Sequence, residues 1–493
     1  MNFSNLINQF AYDAKSPLIF NSGFFLFMFL LFTLVYYLLR NRNTARILFV
    51  TIFSYYFYYK SSGTHFFILA IVTLSDYLIA KAIESSRVQE FKSSRRASKL
   101  LVALSLCIDL GMLAYFKYTN FLIELINPLL YEPLSLTNIL LPVGISFYTF
   151  QSLSYIIDVY RGNIKPLNHF LDYAFYVSFF PQLVAGPIVR ARDFIPQIHR
   201  PLAVSREMFS SGIFLIIAGL FKKAIISDYI SLNFVDRIFD QPELYSGLEN
   251  LLGIYGYSLQ IYCDFSGYSD MAIGIALLLG FHFPKNFDSP YKSRSVTEFW
   301  RRWHISLSSW LRDYLYISLG GNRKGKIRTY INLMLTMLLG GLWHGASWNF
   351  VVWGGLHGLC LVVERILGIK KEKQQTGGFK TILRIIVTFH IVAFIWLFFR
   401  NSSFENSLLM IERIFTDFKP QLFTQVISGY SGVFTLIAIG YAMHLMPSSF
   451  TDRYKLSFAR LAMPLQAIVM IILIWIVIQV KSSDIQPFIY FQF

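Results

Sequence analysis

The chain has 493 residues, of which 55% are hydrophobic, 18% are aromatic and only 15% are charged. Soluble domains carry about 25% charged residues, so this composition excludes a water-soluble globular protein and indicates a polytopic membrane protein. The net charge of +16 fits cytoplasmic loops and lipid headgroups, and no nucleic-acid partner is expected because no basic soluble domain is present to bind one.

The first long apolar stretch covers residues 16–39, carries no charge and is long enough to span a membrane. It lacks the cationic region and the small-residue cleavage site of a signal peptide, which predicts a retained span. Basic connections at 40–46 and 84–99 alternate with connections that are poor in basic residues. By the positive-inside rule, the two basic connections lie in the cytoplasm and the N-terminus lies outside it.

Further apolar stretches follow to the end of the chain, and together they predict roughly 11–13 membrane segments. Residues 179–187 are apolar but broken by two prolines and a glycine, so they are predicted to form a re-entrant turn buried in protein. No repeat and no soluble segment divides the chain, which predicts a single membrane-embedded domain over residues 1–493. The second predicted span reaches about residue 59 and the fourth ends near residue 117. The other later spans are predicted at about 64–83, 139–160, 208–226, 249–263, 266–283, 328–344, 346–366, 380–399, 430–447 and 460–480.

Two acidic residues, Asp264 and Asp270, lie in the apolar stretch YCDFSGYSD. A buried carboxylate needs a partner, because an unpaired charge is costly away from water. Arg301 and Arg302 are candidate partners, and a histidine that the carboxylate would orient is another. A structural ion pair is the simpler interpretation.

The second half of the chain contains a histidine, His304, among arginines and tryptophans in the run EFWRRWHISLSSWLRDY. At about 100° per residue, the tryptophans form one stripe of a helix and the arginines form the other, with His304 on the border. Each arginine would cost roughly 2.5–3.5 kcal/mol at a bilayer centre, so this helix does not face lipid. It is either an interfacial anchor with an aromatic belt or the lining of a polar cavity, where His304 is a catalytic candidate.

The run NRKGKIR at 322–328 has four basic residues and no acid. It fits an inside-positive loop, or a contact of Arg323, Lys324 and Lys326 with the phosphates of a cytoplasmic acyl donor. No metal site is predicted, because the three cysteines form no CxxC pair and the histidines have no second ligand nearby.

Another histidine, His344, lies in the glycine-rich apolar run LLGGLWHGASW. A lone histidine in apolar surroundings is more often structural, with one nitrogen bonded to a carbonyl group. Glycines around it, however, let another backbone or a substrate chain come close. An ionisable side chain inside a membrane is a functional-site hypothesis, and burial favours the neutral imidazole that can act as a base. We therefore predict His344 as the principal catalytic residue.

The two histidine runs resemble the signature of the membrane-bound O-acyltransferase family, and more narrowly its bacterial polysaccharide O-acetyltransferase branch. The resemblance rests on FWRRWHISLSSWLRDYLYISLGGNR followed by LLGGLWHGASWNFVVWGGLHG, with Ser318 where the branch would have proline. It extends through stretches at 142–162, 179–194, 262–281 and 488–493. The resemblance implies an all-α polytopic fold in which membrane, re-entrant and interfacial helices surround a central funnel.

The chain ends in the aromatic run FIYFQF, whereas most termini are polar and frayed. Aromatic residues here fit an anchor at the membrane interface. The family resemblance also implies a sharper role, in which Tyr490 accepts the acyl group as an ester and passes it on.

The family resemblance implies an O-acyltransferase of the bacterial inner membrane, without a bound cofactor. It would take an acyl group, most simply acetyl, from acetyl-CoA or another cytoplasmic thioester. It would deliver the group to an extracytoplasmic polysaccharide or to a periplasmic acetyltransferase partner. His344 would be the base that deprotonates the acceptor, or the group that contacts the travelling acyl group, and His304 would support it. The alternative is a transporter or flippase of lipid-linked glycans or small solutes, although the internal repeats frequent in transporters are absent from the sequence.

Overall fold

A computed structural model describes residues 9–13, 17–88, 92–184, 186–369, 378–480 and 488. These residues form helices joined by turns and loops, and no strand occurs among them. The predicted all-α architecture is therefore confirmed. The described chain divides into two compact units, one of residues 1–212 with 272–284 and the other of residues 213–271 with 285–493.

The first unit is built around an aromatic core in which Phe180 is completely buried. Its ring lies 5.4 Å from that of Phe32 and 5.1 Å from that of Phe53. The helices of this unit are α1 (Gly23–Leu38), α2 (Asn43–Ser62), α3 (Phe66–Val88), α4 (Lys92–Ile126), α5 (Ile145–Arg161), α6 (Phe170–Ser178), α7 (Phe180–Leu183) and α8 (Ala191–Ile198).

The segment predicted as a re-entrant turn contains α7, a helix of only four buried residues. The N–H group of Phe180 is satisfied inside the protein, because it donates to Ser54 Oγ at 3.1 Å. Gly144, with φ of 74°, brings the start of α5 against this segment. A Cβ atom at Gly144 would lie 2.7 Å from Leu183 O, so the close approach requires glycine. This break is why α5 begins at Ile145 and not at the predicted residue 139.

The second unit carries both predicted catalytic histidines. Two helices belong in part to each unit, α9 (Arg206–Leu220) and α10 (Gly247–Leu278), and α9 continues through π-helical turns to Asp240. The remaining helices are α11 (Val296–Arg302), α12 (Ile305–Trp310), α13 (Lys326–His344), α14 (Trp348–Ile366), α15 (Phe379–Arg400), α16 (Phe404–Thr416), α17 (Phe423–Gly429), α18 (Ser431–Leu445), α19 (Ser448–Arg460) and α20 (Met463–Val480).

Four helical stretches of the described chain are long and apolar enough to cross a membrane, or six if each of two bent helix pairs is one span. The protein is therefore a multi-pass membrane protein, with fewer such helices than the number of segments predicted. Some predicted spans are too short, since α1 has 16 residues and α5 has 17. The two spans predicted at 249–263 and 266–283 are one helix, α10. The four stretches are Asn43–Ser86, Arg95–Leu129, Arg206–Asp240 and Phe379–Arg400.

Candidate active site

His304 lies at a break between two helices and not on one continuous helix, so that prediction was wrong. α11 ends at Arg302, and His304 takes the left-handed conformation, with φ of 41° and ψ of 57°, before α12 begins. The break is made by tertiary hydrogen bonds: Ile305 N donates to Asn286 O at 2.9 Å, and Asp288 N donates to Arg302 O at 2.8 Å. A non-glycine residue in this conformation costs of order 1–3 kcal/mol, and it persists where its surroundings hold it.

The imidazole of His304 is fully buried, not on the border of a polar face. Its Nδ1 atom lies 3.2 Å from Asn286 Oδ1. The same oxygen accepts from Ser306 N at 3.2 Å and from Ser306 Oγ at 2.9 Å, while Asn286 Nδ2 donates to Ser269 Oγ at 3.1 Å. Because Asn286 Oδ1 is an acceptor in this network, His304 Nδ1 carries the hydrogen and Nε2 is the basic nitrogen.

Apolar rings cover the rest of His304. The Phe265 ring meets the imidazole edge-on at 4.6 Å, and the Trp343 ring lies 6.4 Å away. Burial lowers the pKa of His304 to about 3, because it disfavours the charged imidazolium. His304 is therefore neutral at physiological pH. A neutral imidazole held by Asn286 can orient a neighbouring group, which fits the supporting role predicted for His304.

His344 is the last residue of α13 and is 4% exposed. Three rings surround it: Trp343 at 4.8 Å, Trp353 at 5.0 Å and Phe399 at 5.2 Å. Trp343 contacts both histidines, so the structure brings the two sequence-predicted residues around one indole ring.

The glycines near His344 serve the packing of α13 against α14. A Cβ atom at Gly341 would lie 2.3 Å from Phe350 O, and one at Gly345 would lie 1.9 Å from the Phe350 ring. The sequence allowed the glycines to admit either another backbone or a substrate chain. At Gly341 the close approach of another backbone is the explanation. The contact fixes the end of α13, and with it the position of His344.

Asp264 and Asp270 pair with lysines of α9, and not with Arg301 or Arg302 as predicted. Lys223 Nζ lies 2.5 Å from Asp264 Oδ1, with both side chains buried. Asp270 pairs with the neighbouring Lys222. These lysines escaped the sequence reasoning because they lie in a predicted span, although two lysines inside a membrane themselves require acidic partners.

The arginines of α11 are engaged elsewhere or exposed. Arg302 lies 2.9 Å from Glu298 and 3.7 Å from Asp288, and Arg301 is exposed. Arg302 is thus held by carboxylates, and a supporting role of either arginine at the site stays a prediction.

The three basic residues proposed to contact a donor phosphate are exposed in a turn and at the start of α13. Lys326 is the first residue of α13 and His344 is the last. At a rise of 1.5 Å per residue, about 27 Å separates the two ends of this helix. The basic residues and His344 therefore lie at opposite ends of one rigid element.

Tyr490 lies outside the described residues. The nearby Phe488 is described and fully buried. Its ring lies 5.5 Å from that of Phe265 and 4.8 Å from that of Tyr268. Phe265 also contacts His304, so Phe488 and the imidazole share an aromatic neighbour.

Two contributors to the site were missed from the sequence, Asn286 and His357. Asn286 lies in a loop with no motif that predicts its contact with His304. His357 could have been noticed in the run GGLHG of the predicted span 346–366. It is buried on α14 and accepts a hydrogen bond from Trp300. No group of three or more metal-binding side chains occurs in the part of the chain that the structure describes.

Both histidines lie in the part of the chain that matches the model of a known protein family. The model of the membrane-bound O-acyltransferase family matches residues 163–404. The chain is 43% identical over 405 residues to a probable alginate O-acetylase of Pseudomonas aeruginosa, covering 81% of this chain and 75% of the relative. It is 35% identical over 425 residues to a peptidoglycan O-acetyltransferase of Helicobacter pylori, covering 80% and 79%. A teichoic acid D-alanyltransferase of Bacillus subtilis is 30% identical over 286 residues, covering 55% and 71%.

Proposed function

Because this chain belongs to the membrane-bound O-acyltransferase family, in its bacterial O-acetyltransferase branch, we propose that it moves an acetyl group across the inner membrane. The donor is a cytoplasmic thioester such as acetyl-CoA. The acceptor is a hydroxyl group of an extracytoplasmic polysaccharide, or a periplasmic partner enzyme that completes the transfer. The relatives named after alginate and peptidoglycan support this acceptor class. Family membership also decides between acyl transfer and transport, in favour of acyl transfer.

The proposed reaction needs one base and one acid. The acceptor oxygen attacks the thioester carbonyl carbon, the C–S bond breaks, and an oxygen ester and a thiol result. The proton that leaves the hydroxyl group is taken up by His344 and returned to the leaving sulfur, so the imidazole is regenerated. A positioned base contributes about 10²–10⁴-fold to such a step.

The observation that carries this assignment is the placement of His344 and His304 around Trp343 within the region that matches the family. His304 has its Nδ1 atom fixed by Asn286, so Nε2 is the basic nitrogen that would accept a hydrogen bond from the acceptor hydroxyl group or from His344 during the reaction. We assign proton transfer to His344 and orientation to His304.

We propose that the donor binds with its phosphates at the basic turn before α13. If Arg323, Lys324 and Lys326 hold the donor phosphates, the thioester must extend about 27 Å along α13 to reach His344. We propose this arrangement for a cytoplasmic donor, since the positive-inside rule favours a basic turn on that side. The topology with an extracytoplasmic N-terminus is part of the same proposal.

Tyr490 is proposed as the group that carries the acetyl ester to the partner. The buried Phe488, which shares Phe265 with His304, supports an approach of the C-terminal run to the site. Tyr490→Phe keeps the ring and removes the oxygen. Unchanged acetyl transfer by this variant would contradict the carrier role of Tyr490. Direct transfer of the acetyl group to the glycan would then remain as the proposed route.

The test of the function uses purified protein in lipid vesicles, acetyl-CoA labelled in the acetyl group, and alginate or peptidoglycan outside the vesicles. Covalently bound label in the polysaccharide, with release of free thiol, supports the proposal. If a periplasmic partner is obligatory, label accumulates on the protein instead. If no label is found in alginate, in peptidoglycan or on the protein, the proposed function is contradicted.

A further inference from the structure

One face of α14 connects the elements that carry the two histidines. Trp353, His357 and Glu364 are spaced four and seven residues apart, so they lie along one side of the helix. Trp353 contacts the His344 ring at 5.0 Å and the His357 ring at 4.9 Å. The other two side chains hold α11, the helix that leads into His304.

Glu364 binds the first turn of α11 with both carboxylate oxygens. Oε1 accepts from Val296 N at 2.5 Å, and Oε2 accepts from Thr297 N at 2.9 Å. The N–H groups of a first helical turn have no partner within their own helix, and negative charge is favoured at that end. Ser295 Oγ accepts from Glu298 N at 3.1 Å, so three successive backbone N–H groups are occupied by two side chains.

His357 holds the middle of α11. Its Nδ1 atom accepts from Trp300 Nε1 at 3.3 Å, which places the imidazole hydrogen on Nε2. The Phe299 ring is parallel to the imidazole, with an interplanar angle of 2° and centroids 6.1 Å apart. His357 is fully buried, so this contact excludes water.

The contacts that hold α11 affect His304, which lies two residues beyond the end of this helix. α11 ends at Arg302 and His304 begins its left-handed turn, a strained conformation that needs both flanking segments to be held. Asn286 holds the segment after the turn, and Glu364 with His357 holds the helix before it. The same α14 contacts His344 through Trp353, so one rigid helix sets the positions of both imidazoles.

We propose that Glu364 and His357 are positioning residues for acyl transfer, which act by fixing His304 relative to His344. The inference rests on the catalytic roles proposed above for the two histidines. It assigns to α14 a function in the reaction that is separate from crossing or anchoring in the membrane.

The experiment compares Glu364→Gln and Glu364→Leu with Glu412→Gln, which changes an exposed glutamate of α16. Glutamine keeps one acceptor for α11 and leucine keeps none. We expect kcat to fall in the order wild type, Glu364→Gln, Glu364→Leu, by about 10- to 100-fold for leucine, as for a small misplacement of a reacting group. KM for the donor should stay within about twofold, and Glu412→Gln should match wild type.

The paired test at His357 uses His357→Asn and His357→Phe. Asparagine places an acceptor near the original Nδ1 atom, whereas phenylalanine keeps the ring and removes the acceptor. Recovery of kcat by asparagine but not by phenylalanine supports positioning through Trp300. Equal losses with both variants, in protein that is folded by gel filtration, would overturn this part of the proposal.

A double-variant cycle separates the inference from the proposed function. If Glu364 acts through His304, Glu364→Gln adds little to the loss caused by His304→Ala. Additive losses, or wild-type kcat in Glu364→Leu, would overturn the positioning role while the histidine assignment stands. If His304→Ala alone leaves transfer unchanged, the role proposed for His304 in the reaction is contradicted, whatever the result for Glu364.

Discussion

Asn286 fixes the orientation of His304, because its side-chain oxygen lies 3.2 Å from the Nδ1 atom of the imidazole and also accepts two hydrogen bonds from Ser306. The arrangement makes Nε2 the basic nitrogen of the imidazole. It also explains how a buried histidine is held in a left-handed backbone conformation. The asparagine contributes through both its backbone and its side chain.

Asn286→Ala should therefore slow acyl transfer without abolishing it. A small misplacement of a reacting group can cost about 10²-fold, so we expect kcat to fall by about 10- to 100-fold. The measurement is the initial rate of acetyl transfer by protein of matched folded fraction. Asn168→Ala, at an exposed asparagine, is the control. A rate equal to that of the control would show that His304 does not depend on this hydrogen bond.

The buried state of His304 predicts a pH dependence of stability. Burial lowers the pKa of His304 to about 3 in the folded protein. Below pH 6.5 the imidazole is therefore protonated in the unfolded chain but stays neutral in the folded protein. The stability that comes from keeping His304 neutral is complete above pH 6.5 and is lost as the pH falls toward 3, by at most about 1.4 kcal/mol per unit. Thermal unfolding of His304→Asn in detergent should show a smaller fall of Tm over this range. Parallel curves for variant and wild type would contradict the prediction.

Gly341 should tolerate no side chain. A Cβ atom there would lie 2.3 Å from the Phe350 carbonyl oxygen, which belongs to rigid backbone. We expect Gly341→Ala to destabilise the protein by about 1–3 kcal/mol, as other overpacked sites do, and to displace His344 at the end of α13. Gly355→Ala is the matched control, since its nearest neighbour would be a Leu338 methyl group at 3.6 Å. The comparison uses Tm and the folded yield, and similar values for both variants would contradict the packing argument.

Neutralisation of the basic turn tests donor binding. In the triple variant Arg323→Gln, Lys324→Gln and Lys326→Gln, loss of charge-assisted hydrogen bonds to phosphate should raise KM for acetyl-CoA at least about tenfold. kcat should change little, because these residues are about 27 Å from His344 along α13. The control replaces the exposed Lys419 of the same unit. An unchanged KM would show that the donor phosphates bind elsewhere.

Long apolar runs were predictable from the sequence, and contacts between distant segments were not. The span predicted at 380–399 forms the helix Phe379–Arg400, because a predominantly apolar stretch of this length is long enough to cross a membrane as a helix. The histidine pair was found because each imidazole lies in an unusual local context. The bend at His304, by contrast, depends on hydrogen bonds from residues 286 and 288, which no local pattern reveals.

For the charged residues too, the need for a partner was predictable from the sequence, whereas the identity of the partner was not. The sequence required partners for Asp264 and Asp270, and the structure provides them in Lys223 and Lys222. A π-helical turn covers residues 221–227 and accommodates both lysines, and its occurrence could not be predicted from the apolar pattern of the predicted span.

The most direct test of the account is the transfer rate of His344→Ala in purified, vesicle-reconstituted protein, with His282→Ala at an exposed histidine as the control. Loss of a base predicts a fall in transfer of about 10²–10⁴-fold, while the protein still folds and inserts into the membrane. The control should keep its full rate. Near-normal transfer of labelled acetyl by folded His344→Ala would contradict the assignment of this histidine as the base.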